Sequence, residues 1–204
     1  MFDLIRQGGP VMIPILLISV GAVGLIIERA VAFARARPRW PDTGARVIEA
    51  LEKGGMSEVA RELGDSPSPE AQVLLEGLKC RNLQPAERET RMQAKAVREL
   101  GRLERSVPWL SSIANIETLL GLLGTVTGMI RSFISLRLSG VADPAVLAGG
   151  IAEALITTAA GLLVAIPSLA AHHVFTQIID RTTARVEAAA TDLQSFLARR
   201  RGLA

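Results

Sequence analysis

Three long apolar runs, residues 11–27, 109–138 and 146–171, constrain this chain more than any other feature. A helix needs roughly 20 mostly apolar residues to cross about 30 Å of bilayer hydrocarbon. With 49% hydrophobic and only 3% aromatic residues, the choice lies between a leucine-rich helical globule and a membrane protein, and run length decides for the membrane. The expected fold is all-α with three transmembrane helices. The boundaries are an outer N-terminal arm at 1–9, spans at 10–33, 108–138 and 148–174, a helical region at 34–107, a short loop at 139–147 and a C-terminal helix at 175–204.

Charge placement gives the orientation. Lysines and arginines number 15 between residues 28 and 108 and 5 after residue 175; the 139–147 loop has none, and the N-terminal arm has only Arg6. The positive-inside rule then puts the N-terminus and the short loop outside, and the 34–107 region and the C-terminus in the cytoplasm. Arg35, Arg37 and Arg39 directly follow the first span, and Trp40 and Trp109 suit cytoplasmic-interface anchors. Ala32-Phe33-Ala34 resembles a signal-peptidase site only faintly. The preceding n-region is not net basic and Glu28-Arg29 intervenes, so a retained first span is expected. Cys80, the single cysteine, excludes an internal disulfide framework and is expected to be inert in a reducing compartment.

Residues 34–107 are charged and helix-forming, broken by Gly54-Gly55, by the 65–69 run DSPSP and by Pro85. The breaks predict short helices over 41–53, 57–64 and 70–81, then a long helix from Pro85 that runs toward the second span, with a bend at Pro108. Along that helix Met92, Ala96, Val97, Leu100 and Leu103 form a one-sided apolar stripe among charges, which reads as a solvated helix packed on its neighbours. No nucleotide-binding loop, metal-ligand cluster or nucleophile triad stands out, so no enzyme, cofactor or nucleic-acid partner is expected.

The second span carries Ala114, Glu117, Gly121, Gly124, Thr125, Gly128, Ser132 and Ser135 at steps of three and four, one small and polar face. In the third, Glu153, Thr157, Gly161 and Ala165 step by four, with Thr158 alongside. Small residues let helix backbones meet in lipid, so the two faces either pack together or line a passage. In an antiparallel pair with Thr125 and Thr158 level, Arg131 and Glu153 both lie about 7–9 Å further outward at 1.5 Å per residue. Each would bear an unpaired desolvation cost alone, which predicts head groups within about 8 Å, direct or one-water contact, inside one subunit or between two. Glu117 is an extra acid in the inner half of its span and receives no role. The adjacent His172 and His173 point about 100° apart on a helix, a poor chelate, and read as interfacial residues.

The 119–126 run LLGLLGTV with Gly128, Met129, Ile130 and Phe133, the 153–159 run EALITTA and the 161–167 run GLLVAIP resemble the ExbB/TolQ/MotA proton-channel family. The 8–12 run GGPVM and Glu28-Arg29 resemble its ExbB branch. That resemblance implies an inner-membrane subunit in a homo-oligomeric, pentameric ring around a single-span ExbD- or TolR-like partner whose aspartate carries protons. It implies proton-path roles for Thr125, Thr158, Glu153 and Thr157, protons as the coupling ion with no cofactor, and a TonB- or TolA-like energy transducer beyond. Two departures are Glu117-Thr118 where the family has Ala-Pro, and His172-His173 where it often has Tyr-Asn.

The leading expectation is therefore a proton-channel subunit that converts proton-motive force into work at the envelope. The alternative is a non-conducting ring that assembles partner helices. A small-solute transporter is disfavoured by the lack of inverted repeats with broken helices, and a flagellar-type stator by the number of spans. The few polar side chains suit a proton better than a sodium ion.

Overall fold

The computed structural model describes residues 8–38, 40, 42–53, 55–139 and 144–202. The expectations on the arm up to Gln7, including Arg6, and on Arg39, Pro41, Gly54, loop residues 140–143 and residues 203–204 lie outside them. Seven helices occur among the described residues: α1 (Met12–Arg35), α2 (Thr43–Glu52), α3 (Met56–Gly64), α4 (Pro69–Lys79), α5 (Pro85–Glu104), α6 (Val107–Ser139) and α7 (Pro144–Gly202). No strand occurs among those residues. Contacts divide the chain into two compact units, Met1–Glu28 with Ser106–Val174, and Arg29–Arg105 with Phe175–Ala204.

The first unit holds the apolar parts of α1, α6 and α7. Among the described residues three helices are long and apolar enough to cross a membrane, Met12–Arg35 and segments within Pro85–Leu138 and Leu147–Arg200. Their packing is inverted relative to a water-soluble protein. On α6 the buried row is Val107, Leu110, Ala114, Glu117, Gly121, Gly124, Gly128 and Ser132, whereas Leu119, Leu122, Val126, Met129 and Phe133 are exposed. Small residues inside and large apolar ones outside is what helix association in lipid selects, because lipid solvates leucine as well as protein does.

The second unit is packed as in a soluble domain. Asp42 caps α2 by accepting from the Ala45 amide at 2.9 Å, and Ser68 caps α4 by accepting from Ala71 at 3.3 Å. Pro69 and Pro85 sit in the first turns of α4 and α5, where a missing N–H costs nothing. Apolar faces of α2 to α5 and the α7 tail meet in one core built on Leu51, Leu63, Leu74, Leu78, Met92, Val186, Leu193 and Phe196. Phe33 stacks on Phe175 with ring centroids 5.0 Å apart. Cys80 is buried and free, 3.7 Å from Glu76; burial and the Glu76 carboxylate push its thiol up, which fits the inert role expected of it.

The four helices observed between residues 43 and 104 follow the punctuation of the sequence closely. The join to the second span differs from the single bend expected at Pro108. The helix stops at Glu104, residues 105–106 form a turn, and α6 starts at Val107. Carbonyls freed at such an end need donors. Arg29 supplies them, its Nη1 donating to the Arg102 and Leu103 carbonyls at 3.3 and 3.2 Å.

Candidate functional site

α6 and α7 run antiparallel through a row of glycines. A Cβ added at Gly121 would lie 3.2 Å from the Thr158 Cα, and one at Gly161 would lie 2.5 Å from the Glu117 carbonyl oxygen and 3.2 Å from the Gly121 Cα. Further along, Gly124 faces the Thr157 side chain, Gly128 faces Ala154, and Gly150 faces the Ser132 hydroxyl. Ala165 is buried on the same row of α7. The two small faces thus pack together, and no passage runs between them within one chain.

The hydroxyls complete this seal. Thr158 donates to the Gly121 carbonyl across the pair at 2.9 Å, with its own Ala154 carbonyl at 3.2 Å. Thr157 is fully buried and donates to the Gly8 carbonyl at 2.8 Å, with Glu153 O at 2.9 Å. Buried hydroxyls without partners would cost free energy in this environment, so these bonds fix both rotamers. Thr125 is half-buried and satisfies itself locally on the Leu122 carbonyl at 2.6 Å.

Arg131 and Glu153 meet directly, Nη1 to Oε1 at 2.8 Å, with side chains 49% and 22% exposed. Gly9 closes over this pair with φ +68°, a left-handed conformation that glycine adopts without strain. A Cβ there would overlap the Glu153 carboxylate. The 8–9 dipeptide is therefore strapped to α7 by a hydroxyl and packed on an ion pair. Its sequence signal was the glycine pair itself, whose contacts lie about 145 residues away and are invisible to local pattern.

The residues singled out as a proton path thus divide into two groups. At 100° per residue, Thr125 and Arg131 stand about 120° apart around α6, on opposite flanks of the buried row, and Thr158 and Glu153 stand about 140° apart around α7. Because the helices face each other antiparallel, the flank with Thr125 is the flank with Thr158. Arg131, Glu153 and Gly9 share the other.

Glu117 sits in the middle of the buried row with 0% exposure, and neither carboxylate oxygen has a hydrogen-bond partner among the described residues. His172 places Nδ1 3.2 Å from the Val107 carbonyl, with ring centroids of His172 and His173 5.6 Å apart. No cluster of three or more metal-ligating side chains occurs among the described residues. Trp109 is exposed near the start of α6, while Trp40 lies under the Arg46 guanidinium at 4.6 Å.

The profile of the MotA/TolQ/ExbB proton channel family matches residues 65–188, which includes all of α6 and most of α7. An ExbB-like biopolymer transport protein of Synechocystis sp., ExbB-like 1, is 37% identical over 174 residues, 83% of this chain and 68% of that protein. A second from the same organism, ExbB-like 3, is 33% identical over 88% of this chain and 87% of its own length. The Tol-Pal system protein TolQ of Pseudomonas aeruginosa is 32% identical over 78% of this chain and 63% of its own length. With that profile covering more than half of its residues and relatives at 33–37% identity along most of its length, the chain belongs to the MotA/TolQ/ExbB proton channel family.

Proposed function

We propose that this chain is the ring-forming subunit of a proton-driven motor in the bacterial inner membrane, non-catalytic and without cofactor. Five copies surround the single-span helices of an ExbD- or TolR-like partner. The ring passes the energy of proton flow to an envelope-spanning transducer of the TonB or TolA kind. The N-terminus and the 139–147 loop face the periplasm; the 34–107 region and the C-terminal helix face the cytoplasm.

The observation that carries this reading is the segregation of the two flanks. Within one chain the α6–α7 interface is closed, so a passage has to run along a flank, where other helices complete it. The flank with Thr125 and Thr158 offers hydroxyls and no charge, suited to hydrogen-bonding water or a protonated carboxyl on a guest helix. Supporting it are the family membership and the names of the relatives, biopolymer transport and Tol-Pal.

Thr125→Val and Thr158→Val, co-expressed with the partner, test the reading. Normal assembly with proton-driven work reduced tenfold or more is expected. Normal assembly with undiminished work would favour the non-conducting ring.

A further inference from the structure

Glu117 is a carboxylic acid in the α6–α7 interface that the proton-channel reading leaves unused, and its environment is chemically specific. The side chain is 0% exposed, and both oxygens are unpartnered among the described residues. The close approach of Gly121 and Gly161 beside it leaves no room for a counter-ion from α7, since even a methyl group at Gly161 would lie 2.5 Å from the Glu117 carbonyl oxygen. Nor do the described apolar stretches of α1, α6 and α7 supply a cation. Glu117 is the single titratable residue in 107–130, and residues 154–171 of α7 and 12–27 of α1 contain none. The nearest titratable groups along the facing helix are Glu153, eight residues to one side of Gly161, and His172, eleven to the other, about 12 and 16 Å along the axis. Glu153 is engaged with Arg131, and His172 lies against the Val107 carbonyl.

A carboxylate in such a place has neither solvent nor dipoles nor a partner charge to replace its hydration, and proteins avoid that state by keeping the group neutral. Ionisable residues inside membrane helices are costly and, where present, mark ion or proton sites. A metal cation is a poor occupant, because it requires several converging oxygens, and no cluster of metal-ligating side chains occurs among the described residues.

We infer that Glu117 is a proton-binding site belonging to this chain itself: a carboxylic acid held with its proton between α6 and α7, which exchanges that proton only when their glycine contact opens. Binding is the simple addition of H⁺ to the carboxylate and release its reversal, with no other reactant. The family's scheme places the proton carrier on the partner; here the ring subunit carries one too.

The full chain in lipid vesicles at neutral pH, without partner or proton gradient, provides the test. Infrared spectra are expected to show the deuterium-sensitive carbonyl stretch of a protonated carboxylic acid, lost in Glu117→Gln and retained in Glu153→Gln. Dicyclohexylcarbodiimide, which attacks protonated carboxyls in apolar surroundings, is expected to modify Glu117 in the unmutated chain, read by peptide mass. Gly161→Ala, which forces the two backbones apart, is expected to speed that modification several-fold. A carboxylate band assigned to Glu117, or protection of Glu117 by sodium but not by choline, would overturn the proton site. An unchanged rate in Gly161→Ala would overturn closure by the glycine contact. Each of these outcomes is independent of Thr125 and Thr158, so an ionised Glu117 leaves the channel reading standing, and undiminished work in the threonine variants leaves this site standing.

Discussion

Arg131 Nη1 and Glu153 Oε1 lie 2.8 Å apart, joining α6 to α7 across 22 positions of sequence. An ion pair at the edge of the apolar layer stabilises through mutual compensation, so losing one member leaves the other poorly solvated. Arg131→Gln and Glu153→Gln should each lower the thermal stability of the purified chain. The double variant should lose less than the sum, with a coupling of about 0.5–3 kcal/mol. Strict additivity would mean that the pair contributes no coupling in the membrane protein.

Gly161 and Gly149 sit in the same helix and differ in what a methyl group would meet. At Gly161 it meets backbone, which cannot rotate away; at Gly149 nothing lies within 4 Å. Gly161→Ala should cost about 1–3 kcal/mol, as overpacking does. Gly149→Ala should be neutral or mildly favourable through helix propensity. Melting of the two variants in the same detergent provides the comparison.

Thr157→Val keeps volume and removes the bond to the Gly8 carbonyl. Faster amide hydrogen exchange over residues 8–15 is expected, with a loss of about 1 kcal/mol in local stability. Exchange identical to the unmutated chain would show that Gly9 packing alone holds the segment. Thr158→Val should leave those amides unaffected, because its bond goes to Gly121 instead.

Arg29 uses one nitrogen on two carbonyls at the end of α5. Charged donors of this kind contribute about 1.5–3 kcal/mol each time one is lost, and a positive group at a helix C-terminus adds to it. Arg29→Ala should therefore fray α5 near residue 104, seen as exchange or proteolysis at 100–106. Arg29→Lys should rescue only in part, since its ammonium lacks the planar fork.

Glu70, buried at the start of α4, has its carboxyl pushed above the ordinary range by burial, against the pull of Arg185. A raised folded value means that the native state holds the proton more tightly than the unfolded chain. Stability relative to Glu70→Gln is then highest below the ordinary carboxylate value and falls as pH rises through it to the raised one. Glu70→Gln should accordingly gain stability relative to the unmutated chain as pH rises toward neutral. A stability difference that does not change with pH would contradict this.

Local rules carried much of the architecture. Run length located three apolar helices, Gly-Gly and Ser-Pro punctuation located α2 to α4, and the three-four spacing found the row from Ala114 to Ser132 that is buried. Depth counting put Arg131 level with Glu153, and one turn of helix geometry sufficed for that. What stayed hidden depended on which side of a helix faces which partner. The family resemblance implied one path for Thr125 and Glu153, but the handedness of an antiparallel pair separates them onto two flanks. The Arg29 cap was hidden too, because nothing near residue 29 signals carbonyls stranded about 73 residues later. The Gly9 turn needed a contact with α7 that only the folded chain supplies.

The glycine row between α6 and α7 has a mechanical meaning. At the Gly121–Gly161 contact the two helices touch backbone to backbone, with the Thr158 hydroxyl hooked on the Gly121 carbonyl, and nothing there can flex or repack. The pair behaves as a stave, stiff along its length and smooth on its outer faces. In the proposed ring, strain imposed at one point of such a stave would be carried along the whole helix pair.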